Sequence, residues 1–192
     1  MHCLIAYGHS WVHGTGASRP ACRFVDVASR RLACEPTNLG VGGTLSTDTA
    51  DLVTRKPPPL SRLYVLMTGL NDARLYGASP VALGSFTAAL EAILGAFART
   101  QPEALTVCVE QPHLADYSRH APHDVGSDAV LDAYNQRLRE VVSARAGVVL
   151  ASATGWRPGT MLAEDTVHPN DAGHSHMAGA VVRAVTSAAL PR

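Results

Sequence analysis

The unbroken apolar run Leu63-Tyr64-Val65-Leu66-Met67 constrains the fold of this chain more than any other stretch. A strand with one wet face alternates apolar and polar side chains. A continuous run is the pattern of a strand covered on both faces, as in a parallel sheet wrapped by helices. Four more segments carry strand signals: residues 2–7, ended by Gly8; a brief strand leading into Asn38-Leu39-Gly40; residues 104–110; and residues 147–151.

Helical spacing fills the gaps. Residues 19–33 put Cys22, Val25, Ala28 and Leu32 on one stripe. The glycine-rich turn at residues 40–43 opens a helix to about residue 55, where Pro57-Pro58-Pro59 stops it. Ser79 and Pro80 are an N-cap and a first-turn residue for a long helix to about residue 99, with Phe86, Leu90, Ile93 and Phe97 inward. Residues 128–144 turn Leu131, Tyr134, Leu138 and Val141 inward, and residues 171–188 form the closing helix. Strands alternating with helices predict a three-layer α/β/α fold around a five-stranded parallel sheet, in the flavodoxin-like order 2-1-3-4-5. No linker or repeat interrupts residues 1–192, so a single domain is expected.

Composition narrows the partners. The chain has 16 basic and 16 acidic side chains, so no basic stripe is on offer to phosphates and nucleic acid is not an expected partner. Its apolar runs read as too short for a membrane span, which takes about 20 residues. The first apolar segment lacks the basic flank and length of a signal peptide, and a cytoplasmic location is expected. Cys3, Cys22, Cys34 and Cys108 show no Cys-x-x-Cys spacing and read as buried free thiols.

The chemistry is concentrated at the two ends. In Asp165-Thr166-Val167-His168-Pro169, a carboxylate three residues before a histidine can fold back and accept the imidazole Nδ1–H. That fixes the tautomer and leaves Nε2 to take a proton from a serine hydroxyl. Ser10 in Gly8-His9-Ser10 follows the first strand, at the switch point between strands 1 and 3 where ligands bind in such sheets. Three strand positions separate it from His168, roughly 14 Å at about 4.8 Å per strand. The segment 152–164 can span that distance. Backbone N–H groups of Ser10 and Gly43 with the Asn71 amide would form an oxyanion hole.

These blocks resemble the SGNH hydrolases, also called the GDSL esterase/lipase family, over nearly the whole chain. Gly8-His9-Ser10-Trp11-Val12-His13-Gly14 is similar to the family's Gly-Asp-Ser-x-Thr-x-Gly block, and Asn38 to Gly43 to its second block. Gly69-Leu70-Asn71-Asp72 is similar to Gly-x-Asn-Asp, and Asp165 to Pro169 to Asp-x-x-His-Pro. The resemblance implies a nucleophile at Ser10, an Asp165–His168 pair, and oxyanion donors at Ser10, Gly43 and Asn71. It implies hydrolysis of esters or thioesters, deacetylation of carbohydrates, or acyl transfer. His9 replaces the family's acidic residue and Val12 its threonine. Beside Ser10 on a turn, His9 is expected to hold the turn, so that His9→Asp would leave folding and turnover intact.

The expected function is a serine esterase or thioesterase that cleaves a short acyl ester of a small molecule through a Ser10 acyl-enzyme. The alternatives are an acyltransferase acting on a metabolite and an inactive binding module of the same fold. Trp11, Trp156 and Met161 are candidates to line the substrate pocket, and the loop at residues 111–127 is long enough to suggest a functional role. Neither His168-His174-His176 nor His113-His120-His123-Asp124 has a zinc-site spacing, so no metal or cofactor is expected.

Overall fold

The computed structural model describes residues 2–189. β1 (His2–Gly8), β2 (Pro36–Gly40), β3 (Ser61–Met67), β4 (Leu105–Val109) and β5 (Val148–Ala151) form one sheet in the order 2-1-3-4-5. Every pairing is parallel. β3 is the central strand with β1 beside it, and Leu4, Ile5, Ala6 and Tyr64 to Met67 are buried on both faces, which is why their sequence carries no polar alternation. The edge strand β2 is only half-buried along its length.

The helices are α1 (Ser10–His13), α2 (Phe24–Arg31), α3 (Ser46–Arg55), α4 (Leu70–Tyr76), α5 (Pro80–Thr100), α6 (Asp128–Ser143), α7 (Pro158–Met161) and α8 (Asp171–Ala189). α2 packs on α8, while α3, α5 and α6 pack in a row, giving a layer on each side of the sheet. The helix expected at residues 19–33 is shorter, because Pro20–Cys22 forms a separate 3-10 turn and α2 starts only at Phe24. Likewise α3 starts at Ser46 and not within residues 40–43. The Asp72 carboxylate takes the Ser46 N–H at 2.9 Å and its hydroxyl at 2.5 Å, and Asp48 takes the Leu45 N–H at 2.9 Å. First-turn donors are thus satisfied there, and residues 41–45 stay an open loop. α1, α4 and α7 are too short to display a helical period and escape the sequence pattern.

Two expectations are corrected. α5, at 21 residues, is long and apolar enough by length and composition to cross a membrane. It spends that character on the core, burying Phe86, Ala89, Leu90, Ile93, Leu94, Ala96 and Phe97. Cys3 and Cys34 are not free thiols but a disulfide, with Cα atoms 5.6 Å apart. Strand adjacency causes this: Leu4 pairs with Pro36, which brings Cys3, one residue before Leu4, beside Cys34, two residues before Pro36. Cys22 and Cys108 are free, and burial pushes the Cys108 thiol up to about 12.

The register builds the functional end of the sheet. Gly8 stands opposite both Gly40 and Met67, so β1, β2 and β3 end level and release their following loops into one space. Gly8 has φ +144°, and a Cβ there would lie 1.9 Å from the Met67 carbonyl oxygen. Only glycine lets β1 turn so close against β3.

Candidate active site

Ser10 is the first residue of α1, two residues beyond Gly8, and is buried to 8% exposure. Its hydroxyl lies 3.0 Å from His168 Nε2, so the O–H can donate to that nitrogen. On the other side of the ring, Nδ1 donates to Asp165 Oδ2 at 2.6 Å. Asp165 Oδ1 accepts the backbone N–H groups of Val167 at 3.0 Å and His168 at 2.9 Å. Burial pushes the Asp165 carboxyl up, but the bonds from His168 and Val167 together outweigh it and hold the group below its usual range. The turn closes through Thr166, whose φ of +66° is unusual for a β-branched residue. Strain of that kind persists where the surroundings over-determine it.

The oxyanion candidates lie at the ends of β1, β2 and β3. Ser10 sits in the first turn of α1, where a backbone N–H has no acceptor within the helix. The Asn71 amide donates to Thr44 O at 2.9 Å, which fixes its plane beside residues 41–45. Gly43, in that loop, has φ +79° and open space where a Cβ would stand. Asp72 faces away from this centre onto Ser46; burial raises its carboxyl against those bonds, and its work is structural. The hydrogen-bonded line from Ser10 through His168 to Asp165 is of the kind that can move a proton off a serine oxygen.

The chain matches the GDSL-like Lipase/Acylhydrolase family over residues 6–176. It belongs to that family. A comparison with curated proteins finds no match. Among solved structures it is similar to a carbohydrate esterase family 2 enzyme with a carbohydrate-binding domain from Corynascus thermopiles (Myceliophthora fergusii), with TM-score 0.76 and 17% identity, covering 97% of this chain and 66% of that one. A lipolytic protein of the G-D-S-L family from Veillonella parvula gives TM-score 0.70 and 17% identity over 95% of this chain and 97% of that one. A salicylyl-acyltransferase from a tetracycline biosynthetic pathway gives 0.74 and 16% over 98% and 55%. At these identities the likeness concerns the fold.

In this GDSL-like chain the substituted residue His9 is fully buried and caps α1. Its Nδ1 accepts the Trp11 N–H at 3.3 Å, and its Nε2–H donates to Gln111 Oε1 at 3.0 Å. Burial, more than any neighbour, lowers its pKa to about 4. Trp11, a candidate for substrate contact, has 0% exposure and offers a ligand no surface. Its indole donates to Val167 O at 3.1 Å, bracing the Asp165–His168 turn from beneath. Trp156 packs on Trp11 with ring centres 5.3 Å apart and lines a cavity of about 470 Å³ beyond β4 and β5. Met161, half-buried at the end of α7, takes the Arg157 N–H on its sulfur.

The segment at residues 111–127 ties these parts together, a role its length alone suggested only in outline. His120 donates to Asp165 O at 3.3 Å, Arg119 O accepts from Arg74 on α4 at 3.1 Å, and Tyr117 donates to Asp128 at 2.7 Å. Among the described residues, no group of three or more His, Cys, Asp or Glu could hold a metal ion.

Proposed function

We propose that this protein is a serine esterase that cleaves the short acyl ester or thioester of a small molecule through an acyl-enzyme on Ser10. The observation that carries this reading is the unbroken line of hydrogen bonds from Ser10 Oγ through both ring nitrogens of His168 to Asp165. In the proposed first step His168 Nε2 takes the hydroxyl proton as Ser10 Oγ attacks the acyl carbon. Asp165 holds the ring's orientation and balances its charge. The Ser10 and Gly43 N–H groups and the Asn71 amide receive the oxyanion. His168 returns its proton to the leaving oxygen or sulfur. A water, deprotonated by the same nitrogen, then attacks the acyl carbon, and His168 returns that proton to Ser10 Oγ as the acyl–oxygen bond breaks.

Transfer to a hydroxylated acceptor is kept as the second reading, because a hydroxyl can replace water at the acyl carbon in the last step and a structure of similar fold is a salicylyl-acyltransferase.

A fluorophosphonate probe should label wild-type protein at Ser10 and leave Ser10→Ala unlabelled. Hydrolysis of p-nitrophenyl acetate should be unchanged by EDTA. Loss of activity on chelation, restored by zinc, would replace this mechanism with a metal-assisted one. A hydroxylated acceptor that diverts product from free acid to a new ester would favour transfer.

A further inference from the structure

Gln111, just past the end of β4, takes no part in the steps above, yet it is 2% exposed and bonded at every polar atom. Its Oε1 accepts His9 Nε2–H and its Nε2 donates to Thr68 O, both at 3.0 Å. Its backbone N–H donates to Asn135 Oδ1 and its carbonyl accepts from Asn135 Nδ2, both at 2.8 Å. These bonds allow the side-chain amide one orientation. Exchanging its oxygen and nitrogen would set N–H against N–H at His9 and oxygen against oxygen at Thr68.

The consequence passes through His9. An acceptor at Nε2 holds the proton there, so Nδ1 presents a lone pair, which the Trp11 N–H occupies. That bond caps the turn that carries Ser10. With Trp11 capped, the N–H of Ser10 is left for the oxyanion in the proposed first step. The far end of the same amide holds Thr68 O, three residues before Asn71. One buried side chain thus spans the nucleophile's cap and the strand end that launches the oxyanion asparagine.

We propose that Gln111 is a positioning residue for Ser10, acting by holding His9 in the Nε2–H tautomer. This rests on the reading of Ser10 as the nucleophile. The groups that bear on the His9 ring are Gln111 from the end of β4, the Trp11 N–H from α1, His168 from the turn after β5 and Arg74 from α4. Burial first, then the positive charges of His168 and Arg74, disfavour a second proton on the ring, and the bond to Gln111 favours it. A second proton would turn Nδ1 into a donor facing the Trp11 N–H and break the cap.

The test uses Gln111→Met, which fills similar space without either bond, and Gln111→Glu, which keeps an acceptor and adds a charge. Nitrogen-15 spectra should give a single Nε2–H tautomer for His9 in wild type and a mixture in Gln111→Met. With p-nitrophenyl acetate, Gln111→Met should lose about tenfold in kcat, roughly 1.4 kcal/mol of barrier, with KM within about twofold. Gln111→Glu, which keeps the acceptor for His9 but sets an oxygen against Thr68 O, should recover part of that loss at pH 8. It should then lose kcat on acidification at a higher pH than wild type does, because the carboxylate favours the doubly protonated ring. In a His9→Asn background, Gln111→Met should cost less than about twofold more. Three outcomes overturn the proposal: wild-type kcat in folded Gln111→Met, an unchanged tautomer, or the full tenfold loss persisting beside His9→Asn. If Gln111→Met does not fold, the pH profile of Gln111→Glu decides alone. Wild-type protein that takes no fluorophosphonate at Ser10 brings down the esterase reading and this one together. A labelled wild type whose Gln111→Met variant labels equally fast brings down only this one.

Discussion

At Asp165 one carboxylate does two jobs with two oxygens. Oδ1 gathers the amides of its own turn while Oδ2 orients His168. Asp165→Asn can keep part of the turn but can present an N–H where the imidazole needs an acceptor. We expect kcat to fall by about 1,000-fold or more with a much smaller change in KM, read from steady-state kinetics on p-nitrophenyl acetate. Asn71→Ala should cost about 100- to 1,000-fold in kcat if the amide meets the oxyanion. Near-native turnover would remove it from the mechanism.

His9 calls for a revised expectation. An aspartate there could still accept the Trp11 N–H, but it would bury a carboxylate and leave Gln111 Oε1 without its donor. His9→Asp should therefore lower unfolding free energy by about 1–3 kcal/mol, measured in urea. The hydrogen-bonded line Ser10–His168–Asp165 was legible because Asp165 stands three positions before His168 and a glycine turn marks Ser10. Gln111 was not, because it meets His9 across 102 positions and begins a loop with no motif of its own.

Among the elements, the strands were readable and the short helices were not. β1 and β3 announce themselves by apolar runs, and their level ends place Ser10, the 41–45 loop and Asn71 together. The bridge between Cys3 and Cys34 depends on which strands are neighbours, which cysteine spacing does not encode. Closing a 31-residue separation should add about 3–4 kcal/mol to stability through the unfolded state. Unfolding with and without dithiothreitol should reveal that difference. Under denaturing, non-reducing conditions a thiol reagent should count two cysteines, Cys22 and Cys108; four would remove the bridge.

The whole molecule should be sensitive to acid. His9 and His174 are both fully buried, with pKa values lowered to about 4, chiefly by burial. His174 takes the Phe24 N–H at 3.3 Å and donates to Thr15 O at 3.2 Å, which pins α8 to the loop after α1. Unfolded histidines bind protons from about pH 6.5 downward, while these two resist until about pH 4. Between those values the unfolded state holds more protons, so stability is full above the upper one and falls as pH drops. Each ring accounts for a loss on the order of 3 kcal/mol. Urea midpoints taken from pH 7.5 to 4 should fall accordingly, and His174→Gln should flatten part of that slope.

The Cys3–Cys34 bond also gives the chain a mechanical short circuit. It closes a covalent ring around β1, Ser10, α1 and α2. Tension applied between the two ends runs through the sulfurs, and the 31-residue separation withholds roughly 110 Å of contour from stretching. In a single-molecule pull the segment carrying Ser10 bears no load, and that missing length should appear only once a reductant is added.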